Sequence, residues 1–464
     1  MKPSTHSTRQ LTADLADKLK STTLLHPNYP FQPSRFPLFY GWVILGVTTL
    51  GILMSIPGQT AGVSVFTDHL LAATGISRLT LSNAYLVGTL TSGLLLPFGG
   101  LLLDRFGARI TVLIASTWLA VTLCYLSVSD RIATLIANQF PLVSSSTIAV
   151  ILLTLGFTSL RFSGQGMLTM ASRNTLGKWF DRRRGFVSGL SGVFVSFGFA
   201  AAPLLLSYCI GAAGWRGAWF SLALVVGGVM GGIGWIFFRD NPEECGLNMD
   251  GTTSISLDKT SSSHNAGQRN FTRGDALKTL AFWASTLALS SQALVYTGIT
   301  FHIVDIGAAA GLSETQAVSL FLPMAVVSTS VGYLIGMASD RLDLKLLYVL
   351  MMTAQVLGFS GMANIGVTEF RAIAILALGV SGGCFGTLAT VTLPRYFGRA
   401  HLGAISGVQM MSMVIASALG PSLLAVFKDQ LGSYKPGLYL CCSFPLIISF
   451  LLLMSRNPQE ELRC

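Results

Sequence analysis

Apolar runs of about twenty residues, separated by short polar gaps, repeat along almost the whole chain, and each is long enough for a helix to cross a bilayer. They fall at 38–63, 80–103, 109–128, 148–174, 185–210, 215–238, 278–303, 314–338, 345–365, 370–392, 402–426 and 435–455, which predicts twelve spans. The polar stretch 239–277, with Ser254, Ser256, Ser261, Ser262 and Ser263, reads as a linker between two six-helix halves, 38–238 and 278–455. Polar tails, 1–37 and 456–464, flank them, and the first lacks the basic, short-apolar, small-residue order of a cleaved signal peptide. The expected fold class is an all-α membrane protein of twelve transmembrane helices in two six-helix pseudo-repeats.

Composition fits that pattern: 51% of the residues are apolar and 11% charged, too few charges to coat a soluble protein of this size. The 49 glycines read as sites of close helix approach. A net charge of +10 does not imply nucleic acid, because the cations sit in gaps between apolar runs rather than on one soluble face. With the N-terminus inside, ten loop cations (Arg105, Arg109, Lys178, Arg182, Arg183, Arg184, Arg341, Lys345, Arg395, Arg399) are inner and six (Arg78, Arg131, Arg216, Arg371, Lys428, Lys435) outer. That bias predicts cytoplasmic termini in a plasma or inner membrane. Seven scattered cysteines have neither disulfide nor metal spacing, so structural thiols and no metal are expected.

The halves repeat. Asp104-Arg105 recurs as Asp340-Arg341, and Gly75-Ile76-Ser77 as Gly311-Leu312-Ser313, at an offset of 236. Later the offset is 218, where Ser188-Gly189 matches Ser406-Gly407 and Pro203 matches Pro421; a longer loop near 129–147 in the first half accounts for the change. Duplicated six-span units are how many secondary transporters expose a central site to each side in turn.

The segment Gly100-Leu101-Leu102-Leu103-Asp104-Arg105-Phe106-Gly107-Ala108-Arg109 resembles the signature loop of the major facilitator superfamily, with an echo at Gly336-Met337-Ala338-Ser339-Asp340-Arg341. Further stretches are similar to its oxalate/formate antiporter and monocarboxylate transporter branch: Phe39-Tyr40-Gly41-Trp42, Lys178-Trp179-Phe180-Asp181-Arg182-Arg183-Arg184-Gly185, Arg239-Asp240-Asn241-Pro242-Glu243-Glu244, Ala281-Phe282-Trp283 and Phe301-His302. The resemblance implies a transporter of small solutes, coupled to a proton or counter-anion or to neither. Members of that branch that carry oxalate or monocarboxylates have charged residues in span 8 or 11; here span 8 has no charge from Thr315 to Ala338, and span 11 has Gln409.

Independently of the resemblance, Asp104 and Asp340, each followed by an arginine, can bridge to a neighbouring helix end and must release it when that face opens. With Gly100, Gly107, Arg105, Arg109, Gly336 and Arg341 they form a candidate gating latch; the alternative is a topological anchor. Arg161 lies mid-span, where a cation costs at least about 2.5–3.5 kcal/mol. It is expected to face an aqueous cavity and hold an anion by its planar fork, or else to tie backbone carbonyls together. His302 is a candidate for solute or proton binding, and Gln59, Gln165, Gln292 and Gln409 for neutral hydrogen bonds to a solute or between helices. No nucleophile-base set, phosphate loop or cofactor motif occurs, so no enzyme and no cofactor are expected. A small organic anion such as a monocarboxylate is the expected cargo of a monomeric carrier. A neutral metabolite or exported drug is the alternative, and a non-transporting nutrient sensor a weaker one.

Overall fold

The computed structural model describes residues 26–139, 144–251 and 269–460. Most of the serine-rich linker and the ends of both tails lie outside the described residues. Among the described residues ten helical stretches are long and apolar enough to cross a membrane. Two of them, Arg78–Ser127 and Arg184–Phe237, are 50 and 54 residues long. At 1.5 Å per residue each would reach roughly 75 Å, more than twice the hydrocarbon thickness. Each breaks at a glycine in the left-handed region, Gly107 (φ 81°) and Gly214 (φ 69°). Divided there, the described residues form twelve spans, with the second helix running 78–106 and the third 108–127.

Span 1 is Gly41–Met54, continued by a tight turn at Ile56–Gly58 and short helices Thr60–Ser64 and Thr67–Thr74. Span 4 joins Ser145–Leu160 to Thr169–Trp179 through a π-helical stretch, Arg161–Leu168. Spans 5 and 6 are the two parts of the Arg184–Phe237 stretch. Spans 7 to 12 are Leu280–Ala308, Glu314–Ser339, Leu344–Ala363, Thr368–Phe397, Leu402–Leu431 and Lys435–Met454.

The repeated Gly-x-Ser triplets are turn punctuation. Gly75 and Gly311 take φ of 67° and 79°, which ends a helix without a Cβ penalty. Ser77 and Ser313 then cap the next helix, accepting from Thr80 N and Gln316 N.

Packing places small residues between helices and large apolar ones outside. Span 7 lies along span 11, span 8 along span 10, span 9 along spans 10 and 12, and spans 2 and 3 against span 4. Phe98, Leu204, Leu224, Leu322, Leu346 and Phe450 stand bare on the outside. Water would not tolerate so much exposed apolar surface, whereas hydrocarbon does.

The turn at Gly107 also receives the Asp240 carboxylate, which accepts from Ala108 N and caps span 3. A methyl group at Gly107 would collide with that carboxylate and would sit in a conformation costing about 1–2 kcal/mol. Gly107→Ala is therefore expected to lower the melting temperature of the detergent-solubilised protein by several degrees. Gly192→Ala, in open helical space, should be neutral or stabilising by up to about 1 kcal/mol.

Candidate substrate site and the closed end

Two helix irregularities meet near the middle of the bundle. Pro57 has no amide hydrogen to continue span 1, so the α-helix stops at Met54 and Gln59 is extended (φ −92°, ψ 159°). Opposite it, span 4 changes from α to π at Arg161. The two backbones nearly touch: a Cβ on Gly58 would come within 2.6 Å of Leu160 O and 2.8 Å of Gly164 Cα. Broken helices at membrane depth occur where backbone is buried in protein or lines a cavity, and π-bulges concentrate at functional positions.

Arg161 occupies this junction and is 2% exposed. Its Nη1 donates over long distances to Gly58 O (3.4 Å) and Thr60 Oγ1 (3.3 Å). Its Cζ lies 5.5 Å from the Tyr85 ring centroid, and Tyr85 Oη donates to Thr60 Oγ1 at 3.1 Å. Nε has no acceptor, and no described carboxylate pairs with the guanidinium. A guanidinium has five donors, so a buried charge remains poorly satisfied. The structural alternative of an arginine tied to carbonyls accounts for one carbonyl only.

Gln165, on the same π stretch, has a buried Oε1 with no donor. Gln59 sits on the break in span 1 rather than inside a helix, its Nε2 donating to Ser55 Oγ (3.1 Å), which also receives Thr169 Oγ1 (3.1 Å) from span 4. These residues share one corner of the site with Arg161.

The second-half candidates are dispersed. Gln292 accepts from Ser381 Oγ at 2.7 Å, a link between spans 7 and 10. Gln409 on span 11 is buried with Nε2 unpartnered. His302 belongs to a different cluster: Nε2 lies 2.9 Å from Pro421 O, Nδ1 3.2 Å from Tyr434 Oη, and Asp305 Oδ2 4.0 Å away. A carbonyl only accepts, so Nε2 carries hydrogen, and the ring ties span 7 to spans 11 and 12.

At one end of the bundle the halves are joined by two matching caps. Asp104, ending span 2, accepts from Gly403 N (2.6 Å) and Ala404 N (2.7 Å) at the start of span 11. Asp340, ending span 8, accepts from Gly185 N (2.6 Å) and Phe186 N (2.9 Å) at the start of span 5. Gly185 and Gly403 are themselves separated by the 218-residue offset of the sequence repeat. Each carboxylate thus satisfies first-turn amides at the positive end of a helix dipole from the other half. Burial pushes the Asp340 carboxyl above its ordinary pKa, while the two amides pull it back. Gly100 and Gly336 permit these approaches, since a methyl on either would strike the carbonyl of Gly403 or Gly185.

The remaining latch candidates lie elsewhere. Arg105 covers the Phe106 ring. Arg109 donates to Trp235 O, His26 O (3.3 Å) and Tyr29 O (2.8 Å), anchoring the pre-span segment to spans 3 and 6. The Arg341 guanidinium makes no described hydrogen bond; Arg395 fills that place, donating to Ser339 O at 2.6 Å.

Sequence reasoning missed two further cross-links at this end. Asn174 Nδ2 donates to Ser406 Oγ at 2.7 Å, joining span 4 to span 11. Arg399 pairs with Glu243 at 2.9 Å and donates to Lys178 O at 2.8 Å. The charges Glu243 and Arg399 were visible as loop residues, but only folding brings residues 156 positions apart together.

The sequence matches the family model of the Major Facilitator Superfamily over residues 43–421. No curated protein sequence matches it. The fold is similar to the proton:xylose symporter XylE bound to 6-bromo-6-deoxy-D-glucose (TM-score 0.67, 14% identity, 91% of this chain and 99% of that one). It is also similar to the human organic anion transporter MFSD10 (0.56, 15%, 89% and 99%) and to a bacterial homologue of the iron transporter ferroportin in an outward-facing state (0.64, 17%, 88% and 98%). With most of its length matched by the family model and its helices arranged as in these structures, the chain belongs to the major facilitator superfamily, a family of multi-pass membrane transporters rather than enzymes.

Proposed function

We propose that the protein is a secondary active transporter that carries a small organic anion, such as a monocarboxylate, by alternating access. One observation carries the anion reading: Arg161 is buried at mid-membrane with Nε unpartnered and without a carboxylate. A carboxylate would supply the bidentate acceptor that the guanidinium lacks. Gln165 and Gln409, each with an idle amide atom, are suited to orient the rest of a small solute. The assignment to the oxalate/formate and monocarboxylate branch rests on the same reading.

The doubled caps support alternation. They hold the end bearing Asp104 and Asp340 shut, and by the bias of loop cations that end is cytoplasmic, in a plasma or inner membrane, with 38–238 and 278–455 as the two moving halves. A monomer suffices, since a single chain supplies both. The contact of Arg161 with Gly58 O favours the second reading, a carrier of a neutral metabolite or drug in which Arg161 merely braces the broken span.

Uptake of labelled formate, lactate, pyruvate and oxalate into proteoliposomes, with and without a pH gradient, separates the two. Arg161→Gln is expected to lower uptake of the best-carried acid about 10- to 100-fold, the equivalent of one or two hydrogen bonds to a charged group. Wild-type uptake in that variant would leave only the bracing role. Asp104→Asn should favour opening of the capped end by roughly tenfold or more. The readout is faster maleimide labelling of a cysteine replacing Ser188, in a protein otherwise lacking cysteine.

A further inference from the structure

Span 4 carries a second arginine, Arg173, twelve positions beyond Arg161, on the stretch Thr169–Trp179 that leads from the centre to the capped end. Its neighbours on the helix fix the direction in which it points. Thr169 and Ser172 face span 1: Thr169 Oγ1 donates to Ser55 Oγ, and Ser172 Oγ lies where a Cβ on Gly51 would fall. Asn174 and Gly177 face the other half: Asn174 bonds Ser406 of span 11, and Gly177 abuts Pro394 of span 10. At 100° per residue, position 173 falls between these two faces. It therefore points between span 1 of one half and span 10 of the other.

Arg161 and Arg173 also share a face. Twelve residues of plain α-helix would leave them about 120° apart. The π stretch between them adds about one residue to a turn, so the interval becomes close to three full turns. The π stretch thus brings both cations onto the pathway side of span 4, roughly 15–18 Å apart along the helix.

Arg173 has no partner among the described residues. It is half-buried, and its guanidinium makes no hydrogen bond, ion pair or ring contact with any described residue. This sets it apart from the buried arginines nearby: Arg184 is held by Gly177 O, Phe180 O and Asp181, and Arg239 by the carbonyls of Pro27, Ile236, Phe238 and Tyr29. Those are structural cations with their donors spent. At the positions equivalent to Arg161 and Arg173 by the 218-residue offset, the other half has Gly379 and Val391, so this pair of arginines is not repeated there.

We propose that Arg173 is a second anion-binding residue on the transport path, which receives the carboxylate from Arg161 when the Asp104 and Asp340 caps release. The inference rests on the anion reading of Arg161. In the capped state the Asn174–Ser406 bond and the Gly177–Pro394 contact hold span 4 against the other half beside Arg173. Opening that end parts span 4 from spans 10 and 11 and leaves the guanidinium at the mouth of the cavity, about three helical turns beyond the central site.

Transport kinetics measured separately from each face test this, using right-side-out and inside-out vesicles and the best-carried acid of the formate, lactate, pyruvate and oxalate panel. Arg173→Gln is expected to raise KM at least tenfold from the capped-end face and to change it less than twofold from the opposite face. Arg173→Lys should restore most of the loss. Arg161→Gln should impair transport from both faces. Equal effects of Arg173→Gln on both faces, or none on either, would overturn the role of Arg173 while leaving Arg161 in place. Wild-type uptake by Arg161→Gln, or failure of every acid to be carried, would overturn the anion reading and this inference with it. Unchanged melting temperatures of the variants show that the differences are not losses of fold.

Discussion

Inside hydrocarbon, every backbone polar group and every charge must find its partner within the protein. Among the described residues, ten helical stretches meet most of that demand within themselves, two of them broken at Gly107 and Gly214. Two of the departures from regular α-helix are set against each other, the turn at Ile56–Gly58 and the π stretch Arg161–Leu168. Each irregularity covers the other, and Gly58 and Gly164 let them approach. Arg161 is the residue this arrangement leaves incomplete. It has a carbonyl and a hydroxyl at long range, an aromatic face, and an idle Nε. A buried charge held so loosely is costly in a fixed structure and useful in one that takes up an anion.

A carrier must also store two states of similar energy, and the capped end shows how. Beside the neutral Asn174–Ser406 bond, the polar contacts between halves there are short and charged: two aspartates on two helix starts, and Glu243 with Arg399. Such hydrogen bonds contribute about 1.5–3 kcal/mol each. Together they are enough to hold one end closed and few enough to be exchanged for solute contacts and for closure of the other end. Glycine at the seams, as at Gly100 against Gly403 and Gly185 against Gly336, lets helices meet through backbone, so separation does not require interdigitated side chains to unpack.

The fold was legible because the bilayer imposes its thickness on the sequence: apolar runs of one length, broken by Gly-x-Ser triplets whose φ and capping roles the structure shows at Gly75, Ser77, Gly311 and Ser313. The duplicated aspartates were legible as a repeat. Their partners were not, because a cap is made of backbone amides, and Gly403 N or Gly185 N leaves no mark in the sequence. Span boundaries near turns were blurred for a related reason: spans 2 and 3 meet at a single glycine, Gly107, and the charged residues on either side of it stay helical. Arg161 stood out as a lone cation in an apolar run. Arg173, at the end of the expected span 148–174, carries no such mark, and only the π stretch and the partners of its helical neighbours show where it points. Gln292 and His302 had the chemistry of a site, and the structure gives each a protein neighbour, Ser381 at Gln292 Oε1 and Pro421 with Tyr434 at His302.

The most direct test of the central claim is a pair of distances measured by pulsed electron paramagnetic resonance in reconstituted protein. One pair of spin labels at Arg105 and His401 reports on the capped end, and another at Ala72 and Glu314 on the opposite end. The account requires the two distances to change in opposite senses when a carried acid or a pH gradient is applied, one lengthening as the other shortens. Distances that stay fixed at both ends, or that lengthen together, would contradict it.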